Sequence, residues 1–74
     1  MLWFLWEEFM IEFVVGEDQK LIHEKVKECI HKLMMKNNMD YKIISFYDYD
    51  KAFFFFIKTK NKYRIYILDI VMKS

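Results

Sequence analysis

Proline is absent from this 74-residue sequence, and glycine and cysteine occur once each. With so few chain breakers, we expect regular helices and strands joined by short turns. The single cysteine, Cys29, excludes an internal disulfide and any zinc site built from several cysteines, so a reducing, cytoplasmic location is expected. The length leaves room for one small domain.

An excess of charge of either sign is also missing. Twelve Lys and Arg side chains face eleven Asp and Glu side chains, which leaves a formal net charge of +1. Non-specific binding to nucleic acid needs a basic excess, so no direct nucleic-acid contact is expected. The apolar run at residues 1–6 is far shorter than the roughly 20 residues of a membrane-spanning helix. No membrane partner is expected either.

The first nine residues differ in character from the rest of the chain. Reverse translation of residues 6–10, WEEFM, allows a GGAGG sequence about five nucleotides before the codon of Met10, which is the arrangement of a bacterial ribosome-binding site. We therefore interpret residues 1–9 as a non-native N-terminal extension and residues 10–74 as the domain. The alternative is a genuine extension of the first strand.

A strand and a helix are predicted in the first half of the domain. Residues 11–15 form a β-branched and aromatic run that ends at Gly16, which is typical of a buried strand. Residues 19–36 place apolar side chains at helical spacing, with Lys and Glu between them. Asp18 is the expected N-cap of this helix. Cys29 falls on the apolar stripe and is expected to be buried.

The same helix carries two histidines, His23 and His31, which lie eight residues apart. Their sequence neighbours are mostly Glu, Lys and Ile. The spacing is compatible with a metal pair, but we expect both side chains on a solvated helix face.

The second half of the domain allows two arrangements. Residues 41–47 and 63–70 are rich in strand formers. Between them, Asp48 or Asp50 is placed to cap a helix over residues 51–60, which gives β-α-β-α-β. The four successive Phe residues in that segment are weak helix formers and fit a strand equally well, which gives β-α-β-β-β. Spacing alone does not separate these readings.

Acidic side chains stand at the ends of two predicted strands. Glu17 and Asp18 follow the first strand, and Asp69 lies within the apolar run of the last one. A carboxylate inside an apolar run is costly to bury unless it has a partner. In an open parallel sheet ligands collect at the carboxyl ends of the strands, where these three carboxylates would meet if the first strand is central. Three carboxylates in one cleft suit Mg²⁺.

This arrangement resembles the receiver domain of bacterial two-component response regulators. The acidic pair after the first strand is similar to the metal-binding pair of that family, and the sequence DIVM at residues 69–72 is similar to the segment around its phospho-accepting aspartate. The turn FYDYDKAF at residues 46–53 is similar to the entry into its second helix. The resemblance covers residues 11–74. It implies an α/β, partial flavodoxin-like fold, β-α-β-α-β, with a three-stranded parallel sheet in the order 2-1-3.

The resemblance also implies a function and a set of site residues. Asp69 is then the phospho-acceptor of a phosphorelay, which receives its phosphoryl group from a sensor histidine kinase. Glu17, Asp18 and Asp69 are the expected Mg²⁺ ligands, together with the backbone carbonyl of Val71. The chain is expected to be a phosphoprotein rather than an enzyme.

The chain departs from the family after the third strand. A full receiver has five strands, and its hydroxyl residue on strand four and lysine on strand five have no counterpart here. The chain therefore resembles the N-terminal half of a receiver, of the kind that precedes a LytTR output domain, and its phosphorylation is expected to be impaired. The predicted strand at residues 63–70 is left as an open edge, so self-association is expected.

Two other functions are compatible with the sequence. One is a small β-α-β-β-β interaction module, such as a phage-type inhibitor, which requires the strand reading of the Phe-rich segment. The other is a non-functional gene remnant that keeps the structure of a receiver without its activity.

Overall fold

The computed structural model describes residues 10–60 and 63–69, so the interpretation of residues 1–9 as an extension lies outside the described residues. The elements in chain order are β1 (Ile11–Gly16), α1 (Lys20–Lys36), β2 (Tyr41–Phe46), α2 (Lys51–Ile57) and β3 (Arg64–Leu68). The strands form one all-parallel sheet in the order β2-β1-β3. The predicted β-α-β-α-β arrangement with strand order 2-1-3 is confirmed. The β-α-β-β-β alternative is wrong, because the Phe-rich segment is helical.

The central strand β1 is buried from Glu12 onward. It has a neighbour on each side: Phe13 pairs with Ile43 of β2 and with Ile65 of β3. A strand covered on both sides and both faces needs a nearly continuous apolar run, and the sequence IEFVVG supplies one apart from its glutamate.

The helix α1 covers one face of the sheet. Its buried residues Ile30 and Met34 form the main apolar core with Phe13 and Val15 of β1. The helix ends at Lys36 with Asn37 as its C-cap, and Asn38 adopts a φ of 54°. This is the left-handed region that asparagine tolerates better than most residues. The Asn37-Asn38 pair therefore terminates the helix.

The helix α2 packs on the opposite face. Phe46, which points away from the α1 core, contacts Phe53 and Phe56 with ring centroids 5.2 and 5.4 Å apart. The carboxylate of Asp50 accepts a hydrogen bond of 3.0 Å from the backbone N–H of Phe53, so Asp50 is the N-cap rather than Asp48. Because the two helices cover opposite faces, the carboxyl ends of the strands stay open between them.

A buried ion pair crosses the sheet on the α2 face. The carboxylate of Glu12 contacts the guanidinium of Arg64 at 2.9 Å and the ammonium of Lys42 at 3.2 Å. Arg64 also lies over the ring of Phe56, 4.2 Å from its centroid, and donates to the backbone carbonyl of Thr59 at 2.9 Å. The carboxylate of Glu12 in β1 thus links both outer strands. Its partner Arg64 also contacts the C-terminal end of α2.

The predictions for Asp18 and Cys29 are wrong. Asp18 does not cap α1: the N-cap is Gln19, whose backbone N–H instead donates to the carboxylate of Glu17. Cys29 is exposed rather than buried, because it lies on the flank of α1 that borders β3, where it lines an open groove. Within the described residues, no helix has the length and apolar character required to cross a membrane.

Candidate functional site

The three predicted acidic residues lie together at the carboxyl ends of β1 and β3. The backbone N–H of Glu17 donates to Phe46 at 3.0 Å, and that of Asp69 donates to Gly16 at 2.9 Å, so sheet-like hydrogen bonding continues past the strand ends. This holds both side chains at one edge of the sheet, with Asp18 beside them. One carboxylate oxygen from each of Glu17, Asp18 and Asp69 lies within 4.8 Å of the other two.

The surroundings of the cluster are partly apolar. Glu17 is buried, Asp69 is half-buried and Asp18 is exposed. Glu17 and Asp69 line a cleft of about 310 Å³ whose remaining walls are mostly aliphatic, formed by Val15, Gly16, Val26, Ile67 and Leu68. Charges beside a low-dielectric wall interact more strongly than charges in open water.

The electrostatics of Glu17 reflect this crowding. Its largest influence is the hydrogen bond from the backbone N–H of Gln19, 3.0 Å long, which lowers its pKa. Burial, hydrogen bonding with Asp18 and the charge of Asp69 act in the opposite direction. Together they outweigh the hydrogen bond, so the pKa of Glu17 is raised above its ordinary value.

The donor set fits a hard divalent cation. Mg²⁺ binds oxygen ligands, takes a small number of carboxylates, directly or through water, and retains several waters. The exposed position of Asp18 leaves solvent access for those waters, and a cation would relieve the repulsion among the three carboxylates. Glu17, Asp18 and Asp69 would hold the cation. The predicted ligand Val71 lies outside the described residues.

The raised pKa of Glu17 leads to a testable pH dependence. An acid whose pKa is higher in the folded state binds its proton more tightly there, so folding gains stability as pH falls from neutral through that pKa towards the unfolded value. We expect Glu17→Gln to be more stable than the parent chain at pH 7, with the difference shrinking as the pH falls towards the ordinary range of a carboxyl group. Urea unfolding over a series of pH values measures it. A stability difference between Glu17→Gln and the parent chain that grows as the pH falls would contradict the raised pKa of Glu17.

Tyr49 belongs to the site, although the sequence did not indicate it. Its hydroxyl donates a 2.6 Å hydrogen bond to the backbone carbonyl of Asp69. Burial first, and then the charges of the three carboxylates, raise the pKa of Tyr49, which keeps the hydroxyl protonated as a donor. The ring lies against Gly16, where an added Cβ would stand 3.0 Å from the ring and 2.9 Å from a methyl group of Leu68. Glycine at position 16 therefore allows Tyr49 to approach and hold the backbone beside Asp69.

His23 also supports the cluster, and its predicted solvated position is wrong. The side chain is fully buried, its Nδ1 lies 2.8 Å from the backbone carbonyl of Glu17, and its ring stacks on Tyr47 at 4.2 Å. Because a carbonyl only accepts, Nδ1 must carry the proton and donate it. The helical spacing could have predicted this burial, because His23 lies on the same face of α1 as the buried residues Ile30 and Met34. His31 is exposed, as predicted.

Comparisons of the protein with family models, with curated proteins and with solved structures returned no match.

Proposed function

We propose that the chain is the phosphoryl-accepting portion of a bacterial receiver domain, with Asp69 as the acceptor. The observation that supports the proposal is the convergence of the Glu17, Asp18 and Asp69 carboxylates within 4.8 Å at the open ends of parallel strands. Two strands separated by some 50 residues contribute to this cluster. The strand order β2-β1-β3 is also the one that the resemblance to receivers implies.

In this proposal a carboxylate oxygen of Asp69 attacks the phosphorus of a phosphohistidine on a sensor kinase. A new O–P bond forms as the P–N bond breaks, which yields an acyl phosphate on Asp69 and returns the imidazole to the kinase. Asp69 is half-buried and so is reachable from solvent. The kinase supplies the phosphoryl group, so the chain acts as a cytoplasmic signalling component and not as an enzyme.

The other residues of the site position Asp69 and complete its charge environment. Mg²⁺, when bound, would neutralise negative charge on the phosphoryl oxygens during transfer. Glu17 and Asp18 provide the anionic donors for it. The Tyr49 hydroxyl and the Gly16 carbonyl hold the backbone of Asp69 on either side of its Cα. The reacting carboxylate thus stands on a restrained backbone, which reduces the reorganisation needed at the moment of transfer.

The proposal includes slow phosphorylation. The resemblance implies hydroxyl and lysine contacts to the phosphoryl group from strands four and five, which these 74 residues do not contain. Loss of one preorganised contact of this kind costs on the order of 10²-fold in rate or more. The gene-remnant alternative has the same geometry and no phosphorylation, so activity separates the two.

The test is intact-mass analysis after prolonged incubation with acetyl phosphate and Mg²⁺. We expect slow addition of one phosphoryl group to the parent chain, and no addition when Mg²⁺ is omitted or in Asp69→Asn. Asp48→Asn is the matched control, because Asp48 is exposed and lies outside the cluster, and it should behave like the parent chain. Phosphorylation that persists in Asp69→Asn would overturn the assignment. No phosphorylation in the parent chain would favour the remnant.

A further inference from the structure

The two outer strands of the sheet, β2 and β3, differ in solvent exposure. In β2 every residue is half-buried except Lys42. In β3 the four residues after Arg64 are all exposed and all carry large hydrophobic side chains: Ile65, Tyr66, Ile67 and Leu68. Natural proteins protect open edges with lysine, proline or bulges. The strand β3 has no lysine and no proline, so its edge is the unprotected one.

The open edge continues into an apolar groove. Between α1 and β3 lies a groove of about 370 Å³, and Lys25 is the one charged residue among those that line it. Exposed apolar side chains surround it. We call this combined area the β3 surface; it consists of Ile22, Cys29 and Leu33 of α1 with Ile65 and Ile67 of β3. A contiguous apolar surface of this kind marks an interaction site.

The backbone of β3 can make a second row of hydrogen bonds. The N–H of Asp69 donates to the carbonyl of Gly16 in the direction of β1. Since the backbone groups of successive residues in a strand point to alternate sides, the remaining N–H and C=O groups point to the open edge. These belong to Arg64, Tyr66 and Leu68. Within the described part of the chain, β3 pairs with β1 alone.

We propose that the β3 surface binds a second copy of this chain, with the two β3 strands antiparallel and Tyr66 opposite the partner's Tyr66. This register places Arg64 opposite the partner's Leu68 and so satisfies all three pairs of outward backbone groups. On the α1 face, Ile65 then stands opposite the partner's Ile67. Antiparallel pairing suits an isologous dimer, in which both subunits use the same surface.

The charges of β3 also fit a second copy. Arg64 is the one charged residue of β3, and it is held by Glu12, so the approaching strands bring no like charges together. The dimer has one continuous six-stranded sheet with both α1 helices on the same face.

Amide hydrogen exchange of the full chain, followed by NMR across a concentration series, tests the pairing directly. We expect exchange of the Tyr66 and Leu68 amides to slow by roughly tenfold or more as protein concentration rises. The Ile65 and Ile67 amides point to β1 and should show no comparable change, which makes them an internal control. Sedimentation equilibrium should show the mass rising towards twice the 9.3 kDa of one chain.

A pair of lysine variants completes the test. Ile65→Lys should remain folded by circular dichroism and sediment as a monomer, because it places a charge in the dimer interface. Phe55→Lys introduces the same charge at an exposed position of α2 on the opposite face and should still dimerise. A folded Ile65→Lys dimer would overturn the proposal. A chain that stays monomeric at all concentrations would also overturn it. Slow exchange of the Tyr66 and Leu68 amides in that monomer would mean that the chain covers its own β3 edge. Fast exchange would mean that the edge is open to a different partner.

Discussion

Glu12→Ala should destabilise the domain by about 3–5 kcal/mol, which for a chain of this size amounts to unfolding it. The substitution leaves the guanidinium of Arg64 buried without its carboxylate, and Arg64 is 7% exposed in its side chain. An uncompensated buried charge is costly because water no longer solvates it. Urea unfolding monitored by circular dichroism measures the loss.

Two further variants separate the buried pair from the surface one. Lys42 contacts the same carboxylate but is about half exposed, so Lys42→Ala should change stability by at most about 1 kcal/mol. Glu12→Leu combined with Arg64→Met removes both buried charges and should recover most of the stability lost in Glu12→Ala. A Glu12→Ala domain within about 1 kcal/mol of the parent would contradict the importance of this ion pair.

Phe53→Ala should cost about 3–5 kcal/mol, the usual range for deleting a buried aromatic side chain. Phe53 is 5% exposed and contacts the rings of Phe46 and Tyr49. It therefore anchors α2 to the sheet and supports the tyrosine that holds Asp69. Thermal or urea unfolding gives the magnitude.

The Phe-rich helix provides its own control. Phe55 lies two residues further along α2 and is 76% exposed, so Phe55→Ala should leave stability within about 0.5 kcal/mol of the parent. If residues 53–57 formed a strand, side chains two apart would share a face and the two substitutions would have similar effects. Equal losses for Phe53→Ala and Phe55→Ala would therefore contradict the helical assignment.

The elements with strong local patterns could be predicted from the sequence. The periodicity of residues 19–36 predicts α1 to within one residue of its observed start, and the apolar run before Gly16 predicts β1. The segment 51–60 was ambiguous because phenylalanine favours neither state strongly. What decides it is the Asp50 cap together with the packing of Phe53 against Phe46, which is a tertiary contact between α2 and β2. Local patterns carry no information about such contacts.

The residues of the candidate site could likewise be predicted from the sequence only in part. Glu17, Asp18 and Asp69 could be brought together from sequence because parallel strands place their carboxyl ends at one edge. Tyr49 could not, because its role depends on the close approach of a loop to Gly16. The polar sequence neighbours of His23 predict a solvated position, whereas the Glu17 loop folds back onto the first turn of α1 and buries it. The Glu12–Arg64 pair joins residues 52 positions apart and leaves no local trace.

The convergence of three carboxylates as a cation site is most directly tested by a Mg²⁺ titration followed by backbone amide NMR. For the parent chain we predict weak, saturable binding, with shifts centred on the loop after β1 and on Asp69. Asp18→Asn and Asp69→Asn should each weaken affinity by roughly tenfold or more, whereas Asp48→Asn, which removes the same charge outside the cluster, should leave it nearly unchanged. Equal Mg²⁺ affinity for the parent chain and Asp18→Asn would contradict the site.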